Sequence, residues 1–400
     1  MSTIKVTNIE HASTANGGIQ LDSSGHVTVD GQQLPTSGQL SNRNLFFNGA
    51  CEINQRGTVS NSDTYGGPDR FIAFLNVTGY ACERSQQIDA PANTGLQKCY
   101  QLKTTTARTG TTADQYVGIG QFLEFQDAHN AIWGGHSHVT MSFWVKSSIT
   151  GTFAFNMNPC NTDSGFSGNR VLYHATYTIS SADTWEKKTI TIPLAGLTDN
   201  HGILSTAESA QIARGVEFTW MLGISSGGNR TSASTGWSTS EGRNAVSSFS
   251  SDTGFMSTVD ATFKLTGIQF EVGEKVTPFE HRSHYDELAR CQRYYYKHVE
   301  GASLSYANGT YYNSTLIACH IHFPTTMRAA PTIEVESGTD YYRAWRNGTA
   351  DDFNNMVIAR PTTTGTAVDA SNTGASGTAG HGAVLATNNA SSFIAFTAEL

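Results

Sequence analysis

Apolar and polar residues alternate along most of this chain, and a period of two residues is the period of a β-strand. In the segment Val139–Lys146 the odd-numbered residues are all apolar and predict a buried face, which leaves Trp144 on the outward face. Turn-rich stretches separate many segments of this kind, as in a β-sandwich. Residues 44–283 are therefore predicted to form one sandwich. Its predicted strands are Phe71–Val77, Lys98–Leu102, Val139–Lys146, Thr152–Met157, Tyr173–Ile179, Lys187–Ile192, Glu217–Ile224 and Phe263–Val272.

The same alternation returns in residues 294–400 and predicts a second, smaller β-sandwich. Within it, Thr362–Gly382 consists almost entirely of Thr, Gly, Ala and Ser, which predicts a long loop. The predicted strands are Thr315–Phe323, Thr332–Val335, Asn355–Ala359 and Ser392–Thr397. A further strand is predicted to start at Tyr294.

Between the two sandwiches, the sequence predicts a strand followed by a short helix over residues 284–293. Pro278 ends the strand because it lacks a backbone donor. Ser283 can accept a hydrogen bond at the helix N-terminus, with Asp286 three residues on as a short capping-box acid. Tyr285, Leu288 and Cys291 recur at helical spacing, so we expect this face to pack between the two domains. Phe270, Val272 and Phe279 are expected to be buried against the first sandwich.

Residues 1–43 have no sustained apolar pattern. The stretch GIQLDSSGHVTVDG predicts a small hairpin that turns at residues 23–25. So small a hairpin cannot bury enough surface to be stable alone. The segment is either a disordered leader or a segment that orders only against partner subunits, and its alternation favours the second alternative.

The composition excludes several classes of function. Only 14% of the residues are charged, and the formal net charge is −8 with a pI near 5.9, so we expect no nucleic-acid partner. No stretch approaches the roughly 20 apolar residues that span a bilayer, and no membrane insertion is expected. The N-terminus MSTIKVTNIEHAS lacks the apolar region of a secretory signal.

The six cysteines form no CxxC pair and do not cluster with histidines at zinc-finger spacing. Most of them stand in apolar or strand-like contexts, which predicts reduced and buried thiols. They are Cys51, Cys82, Cys99, Cys160, Cys291 and Cys319.

Three segments carry a resemblance to a known family: GIQFEVGEKVTPFEHRSHYDELARCQRYYYK at the junction, RNLFFNGACEINQRGT before it and FPTTMRAAPTI after it. Together they resemble, in the same order, segments of tail-fibre and other receptor-facing structural proteins of tailed bacteriophages. The resemblance implies a homotrimeric virion protein that is made in the cytoplasm of the bacterial host. It also implies that residues 1–43 attach to other virion proteins and that residues 294–400 bind a host surface glycan.

A second resemblance concerns the first sandwich. The segment VTMSFWVKSSITGTFAF followed by ADTWEKKTITIPL resembles the jelly-roll layout of carbohydrate-binding modules. The predicted fold class is thus all-β: a jelly-roll-like β-sandwich, a connecting helix and a second, smaller β-sandwich, behind an extended N-terminal attachment segment.

The candidate glycan-binding residues are aromatic and arginine side chains in two predicted loops. Aromatic rings stack on sugars, and Arg donates to hydroxyls or acidic groups in a fork geometry. If TDYYRAWRN were a strand instead, Tyr341, Arg343 and Trp345 would share one face, and the evidence for a receptor-binding patch would be weaker. The candidates are Tyr341, Tyr342, Arg343, Trp345 and Arg346 in TDYYRAWRN, and Trp237 in the Ser- and Gly-rich segment 223–258.

A His-x-His pair, His320 and His322, lies in the predicted strand LIACHIHF. The period of two projects both imidazoles to one side of the strand. In a trimer, six such imidazoles near the axis could form an octahedral transition-metal site, a use of His-x-His that the phage-fibre resemblance also implies. The alternative is a pair of solvent-facing histidines on a polar strand face.

No catalytic motif is present in the sequence, which contains neither a nucleophile elbow nor a P-loop nor a zinc-protease motif. It also lacks the repeat period of a β-helix depolymerase. We therefore expect a structural protein and no enzyme. Two alternatives to the tail fibre stay open: a head-decoration or adaptor protein with purely structural contacts, and a free polysaccharide-binding or polysaccharide-degrading protein.

Overall fold

The computed structural model of this chain describes residues 8–9, 19–21, 27–29, 32–33, 42–60, 64–108, 115–159, 171–197, 212–224, 235–238, 253–371 and 374–400. The described chain is built almost entirely of antiparallel strands, which confirms the predicted all-β class. It divides into two compact units, here called unit 1 (Met1–Arg282) and unit 2 (Ser283–Leu400).

The N-terminal segment contains a small four-stranded sheet in the order β1-β2-β3-β4. In this sheet Ile19 pairs with Val29, so the hairpin predicted from the alternating residues is confirmed. Its turn at residues 23–25 lies outside the described residues. The strands are β1 (Asn8–Ile9), β2 (Ile19–Leu21), β3 (Val27–Val29) and β4 (Gln32–Gln33).

The rest of unit 1 is a sandwich of two six-stranded antiparallel sheets, named here by a central strand of each. The β10 sheet has the order β13-β10-β16-β8-β7-β5, and the β11 sheet has the order β15-β12-β11-β14-β9-β6. All the strands predicted for this sandwich are present, with ends that differ by a few residues. The elements are β5 (Val59–Ser60), β6 (Ile72–Asn76), β7 (Ala81–Gln87), β8 (Cys99–Thr106), β9 (Tyr116–Glu124), α1 (Phe125–Trp133), β10 (His138–Ser147), β11 (Gly151–Pro159), β12 (Leu172–Ile179), β13 (Glu186–Pro193), a 3-10 turn (Leu194–Gly196), β14 (Arg214–Ile224), β15 (Gly236–Ser238) and β16 (Thr262–Val272).

Aromatic residues fill the space between the two sheets. The ring of Phe143 in the β10 sheet lies 5.5 Å from that of Trp220 in the β11 sheet, and the rings of Phe218 and Phe270 are 4.7 Å apart. These side chains are fully buried and bring a large apolar area out of water. Trp144 lies on the opposite, outer side of the β10 sheet and is partly buried. The prediction that the odd-numbered residues of this strand face the core is therefore confirmed.

The junction strand β16 carries a buried polar network where the sequence indicated only alternation. Gln269 and Glu271 are 0% and 2% exposed. The hydroxyl of Thr277 donates to Glu271 Oε2 (2.6 Å), and Gln269 Nε2 donates to Glu271 Oε1 (2.8 Å).

The side-chain amide of Asn44 binds the backbone of the same strand. Its Nδ2 donates to the Ile268 carbonyl (2.9 Å), and its Oδ1 accepts from the Phe270 N–H (3.1 Å). The first two family-like segments of the sequence thus meet in space.

Unit 2 begins with α2 (His284–Gln292). Its predicted cap is confirmed, since the Asp286 N–H donates to the hydroxyl of Ser283 (3.1 Å). The predicted buried face is only partly correct. Cys291 is fully buried, but Tyr285 is 79% exposed. Glu287, which is one helical turn before Cys291, takes the buried position in the first turn, so the buried stripe is rotated from the predicted one.

Two sheets also form the β-sandwich of unit 2. The three-stranded sheet has the order β17-β26-β20, and the seven-stranded sheet has the order β22-β21-β25-β18-β19-β24-β23. One core of buried residues, including Tyr342, Leu385 and Phe396, lies between them. The strands are β17 (Tyr295–Glu300), β18 (Ser305–Asn313), β19 (Leu316–His322), β20 (Thr332–Val335), β21 (Tyr342–Arg346), β22 (Thr349–Phe353), β23 (Val357–Ala359), β24 (Gly365–Ser371), β25 (Gly382–Thr387) and β26 (Phe393–Thr397).

The prediction of one long loop over Thr362–Gly382 is wrong, because β24 lies inside it. In this strand Val368 and Ala370 are buried in the core of unit 2. β24 pairs with the histidine-bearing strand β19 along its whole length, and this pairing stabilises a composition that has little strand propensity of its own.

The five described cysteines are all buried, as predicted, and they form no disulfide among themselves, while Cys160 lies outside the described residues. Among the helices that the structure describes, none has the length and apolarity needed to cross a bilayer.

Candidate functional site

The segment TDYYRAWRN is a strand and not the predicted loop. β21 runs over Tyr342–Arg346, and a two-residue turn at Asn347 and Gly348 leads into β22. Both turn residues have positive φ angles of 44° and 73°, which Asn and Gly accept more readily than other residues. The Asn-Gly pair is the strongest short-range signal of a hairpin, and it would have identified this turn from the sequence.

The strand conformation splits the predicted glycan-binding set between two faces. Tyr342 lies in the core of unit 2 and is fully buried. Its hydroxyl donates to the carbonyls of Glu336 (2.7 Å) and Phe393 (2.9 Å), and burial raises its pKa. The prediction that Tyr342 contacts a glycan is therefore wrong, because alternation along the strand turns its ring inward.

Arg346 also lies on the inner side of the strand. Its Nε donates to the hydroxyl of Tyr311 (3.1 Å), its guanidinium group lies 5.2 Å from that ring, and it also donates to the Ser376 carbonyl. Tyr341, just before β21, is partly buried, and its carbonyl accepts from the hydroxyl of Ser392 (2.7 Å). The ring of Tyr341 packs against the core of unit 2, and Arg346 is engaged on the inner side of β21.

Trp345 and Arg343 share the outer face of the hairpin. The indole of Trp345 is 50% exposed, and the Arg343 guanidinium carbon lies 5.2 Å from its ring centroid. Asp352 on β22 binds Arg343 through two parallel hydrogen bonds of 2.6 and 2.7 Å. These bonds lower the pKa of Asp352 and raise that of Arg343, so both groups stay charged at neutral pH. The paired geometry holds the guanidinium beside the ring before any ligand arrives.

The outer face extends across the seven-stranded sheet. Trp345 pairs with Val384 of β25, and Val384 pairs with Asn308 of β18. The next pair along, Gly309 with Cys319, brings Asn308 beside His320 of β19. We call this surface the Trp345 face; it comprises Asn308, His320, His322, Arg343, Trp345 and Val384.

His320 and His322 are exposed on this face, and their ring centroids are 4.4 Å apart. The prediction that both imidazoles project to one side of the strand is confirmed. Among the described residues no group of three His, Cys, Asp or Glu side chains is arranged to hold a metal ion. The predicted metal site at this pair stays a prediction.

Trp237 belongs to unit 1 and has structural contacts. It lies on β15 at the edge of the β11 sheet, and it is partly buried. Its indole N–H donates to the carbonyl of Pro193 (2.6 Å), and its ring packs edge to face on Tyr173 at 5.4 Å. These contacts fix the ring at the edge of the sandwich, while most of the segment 223–258 lies outside the described residues.

The β11 sheet carries a buried polar row that the sequence pattern did not predict. His174 Nδ1 lies 2.8 Å from Asn156 Oδ1, while Asn158 Nδ2 (3.5 Å) and the Thr219 hydroxyl (3.3 Å) donate to the carboxylate of Glu217. Burial lowers the pKa of His174 to about 4, so the ring is neutral at pH 7. Within the described part of the chain, its Nε2 atom is buried without a hydrogen-bond partner. Polar residues at every second position of these otherwise aromatic strands are the signal that could have revealed the row.

No protein-family model matches the sequence, and no curated protein matches it significantly. The enzymatically active domain of tailspike protein 4 from bacteriophage CBA120 is similar in structure with a TM-score of 0.31 and 11% identity, covering 57% of this chain and 21% of that one. The match thus spans about a fifth of the length of that tailspike domain.

Two carbohydrate-binding modules are also similar in structure. The family 11 module from Clostridium thermocellum, solved with a β-1,3-1,4-mixed-linked tetrasaccharide, has a TM-score of 0.26 and 15% identity over 56% of this chain and 98% of its own. The xylan-binding domain CBM22-1 from Paenibacillus barcinonensis Xyn10C has a TM-score of 0.25 and 11% identity over 61% of this chain and 100% of its own.

Proposed function

We propose that this chain is a structural subunit of a phage virion appendage that binds glycans on the host cell surface and works as a homotrimer. The resemblance of three sequence segments to tail-fibre proteins supports the virion role. Two of these segments contact each other through Asn44 in unit 1. In this proposal unit 2 is the distal, glycan-binding part. Residues 1–43 attach the subunit to other virion proteins.

The observation that carries the proposal is the exposed indole of Trp345 beside the fixed guanidinium of Arg343. A sugar ring presents C–H groups on one face and hydroxyls around its edge. An exposed aromatic ring can stack on the C–H face, and an arginine can donate to the hydroxyls. Because Asp352 already holds Arg343, little conformational entropy is lost when the ligand binds.

Binding rather than catalysis is the role that these groups suit. Glycoside hydrolysis uses two carboxyl groups that are available to transfer protons or attack the sugar. The carboxylate next to Trp345 belongs to Asp352, and both of its oxygens are engaged by Arg343. That carboxylate positions an arginine, and it is poorly placed to act as an acid, a base or a nucleophile.

The His320–His322 pair has a place in the same proposal. If three copies of unit 2 bring their β19 strands together, six imidazoles can surround one transition-metal ion. The exposure and close spacing of the two rings support this geometry. The metal would then stabilise the trimer, and the glycan would bind at the Trp345 end of the face.

The proposal is tested by an array of bacterial surface glycans probed with the labelled full-length chain. We expect binding to a subset of glycans, and a loss of about tenfold in affinity for Trp345→Ala, since stacking on an exposed ring supplies about 1.4 kcal/mol. Trp345→Phe should retain most of the binding. Tyr285→Ala is the matched control, because Tyr285 is an exposed aromatic of the same unit on α2. Equal binding by Trp345→Ala and wild type would contradict the proposal.

A further inference from the structure

The outer face of the β10 sheet carries a second set of aromatic and charged side chains, in unit 1. Trp144 on β10 pairs with Lys187 on β13 and with Thr266 on β16. Two residues along, Lys146 pairs with Lys264 of β16. Because partners in register project to the same side of a sheet, Trp144, Lys146, Lys187 and Lys264 form one surface, which we call the Trp144 face, while Thr266 on the same side is buried.

One carboxylate organises the charged part of this face. Asp89 accepts hydrogen bonds from Lys264 (2.5 Å to Oδ2), from Lys146 (3.2 Å to Oδ1) and from the indole N–H of Trp185 (3.1 Å to Oδ1). Burial raises the pKa of Asp89, but the hydrogen bonds from Lys146, Lys264 and Trp185 outweigh this effect and lower it to about 2. Asp89 is therefore ionised at neutral pH and holds two lysines and a tryptophan in fixed positions.

The positive charge on the face exceeds the negative charge. Two ammonium groups share the single carboxylate of Asp89. Lys187, opposite Trp144, is exposed, and within the described ranges no carboxylate forms an ion pair with it. Two other lysines of unit 1, Lys98 and Lys103, are each matched by one acid (Glu52 at 3.1 Å and Asp260 at 2.8 Å). The three lysines Lys146, Lys187 and Lys264 therefore outnumber the one carboxylate of Asp89, although the chain as a whole is acidic.

The backbone leaves room for the ring of Trp144 to lie against the sheet. The pairing of β10 with β16 shifts register between Ser142 and Trp144, and Gly267 at the shift has a φ angle of 58°. A Cβ atom at Gly267 would lie 3.0 Å from Trp144 Cδ1 and 2.7 Å from a methyl group of Leu96. Any larger residue there would push the indole away from the sheet. Gly267 thus permits a supported aromatic ring beside an unpaired ammonium group.

We propose that the Trp144 face binds an acidic polysaccharide, with one sugar ring stacked on Trp144 and its carboxylate bound by Lys187. Lysines suit this role because an ammonium group attracts a carboxylate as a point charge with little demand on geometry. The aromatic ring adds selectivity for sugars over other polyanions, since it stacks on their C–H faces. This site is separate from the Trp345 face and does not depend on it.

The test measures binding of the full-length chain to three soluble polymers: polygalacturonate, neutral dextran and poly-glutamate. We expect binding to polygalacturonate that weakens as salt is raised, with at least about tenfold weaker binding to the other two. Trp144→Ala and Lys187→Glu should each weaken polygalacturonate binding by about tenfold or more, and Lys187→Arg should restore most of it. Thermal melting of each variant confirms that it folds.

Two control variants distinguish a specific binding site from non-specific electrostatic attraction of a polyanion. Lys103→Glu makes the same charge change on the same sheet, at a lysine already paired with Asp260, and should leave binding within about twofold. Trp345→Ala should bind polygalacturonate as the wild type does. A failure of glycan binding at Trp345 can therefore be distinguished from a failure of polygalacturonate binding at Trp144. The inference is overturned if the wild type does not bind polygalacturonate, if poly-glutamate binds equally well, or if Lys103→Glu and Lys187→Glu have equal effects.

Discussion

Trp345 and His320 lie on one face of the seven-stranded sheet, in a single row that crosses from β21 through β25 and β18 to β19. The sequence places these residues 25 positions apart and in different motifs. The pairing of the strands between them joins an aromatic platform and an imidazole pair into one surface. A ligand at one end and a metal at the other would therefore share a rigid support.

The oligomeric state is the first prediction. Light scattering of the purified chain should give about 129 kDa, three times the chain mass of 43.0 kDa. The physical reason is that the small N-terminal sheet buries too little surface to be stable in a single subunit. A clean monomer at micromolar concentration would contradict the trimer.

The second prediction concerns the histidine pair. If a trimer holds a transition metal at His320 and His322, nickel or zinc should bind with one ion for three chains, and His322→Ala should abolish it. Removing the metal with a chelator should lower the melting temperature of the wild type and leave that of His322→Ala unchanged. His138→Ala is the matched control, since His138 begins β10 in unit 1. Metal binding that survives His322→Ala would place the ion elsewhere.

Tyr342 gives a prediction about stability. Tyr342→Phe leaves the carbonyls of Glu336 and Phe393 without the hydroxyl that donates to both, and should cost about 1–3 kcal/mol of unfolding free energy. The same substitution at Tyr312, which is 76% exposed, should cost less than about 0.5 kcal/mol. Urea unfolding measures both values. An equal cost at the two positions would mean that the Tyr342 hydroxyl does not stabilise the core.

His174 gives a prediction about pH. Its folded pKa of about 4 lies below the unfolded value of about 6.5, so the unfolded chain binds more protons between these two values. The neutral His174 ring makes its full contribution to the free energy of unfolding above pH 6.5. This contribution decreases as the pH falls towards 4, by up to about 3 kcal/mol. His174→Gln should remove this part of the decrease. The measurement is the difference in unfolding free energy between variant and wild type at several pH values, and a constant difference would show that His174 does not titrate in this way.

Much of the fold could be predicted from the sequence where one strand face is apolar and the other polar. Val139–Lys146 is such a case, and its buried face was identified correctly. Strand β9 was missed because it is buried on both sides and carries Gly118 and Gly120, which weaken the strand signal. The structure explains Gly120: a Cβ there would lie 2.5 Å from the Phe218 carbonyl oxygen and 2.6 Å from the Phe74 ring. These contacts come from residues that are 98 and 46 positions away in the sequence.

The candidate site was predictable in its residue types and less so in its geometry. Trp345 and Arg343 were identified from composition. Tyr342 and Arg346 point inward because the segment is one strand of a hairpin, and this hairpin could be predicted only by recognising the Asn-Gly turn. The Trp144 face could not be identified as a charged surface, because Asp89 reaches Lys264 across 175 positions of sequence. Only the sheet pairing brings these charges together.

The central claim is that a glycan stacks on Trp345, and fluorine NMR tests it directly. Labelling with 5-fluorotryptophan gives one resonance for each of the six tryptophans, and Trp345→Phe identifies one of them by its disappearance. Titration with a glycan that the array identifies should shift the Trp345 resonance in proportion to occupancy, while the buried Trp220 resonance stays in place. An unchanged Trp345 resonance at a glycan concentration that saturates binding would contradict the account.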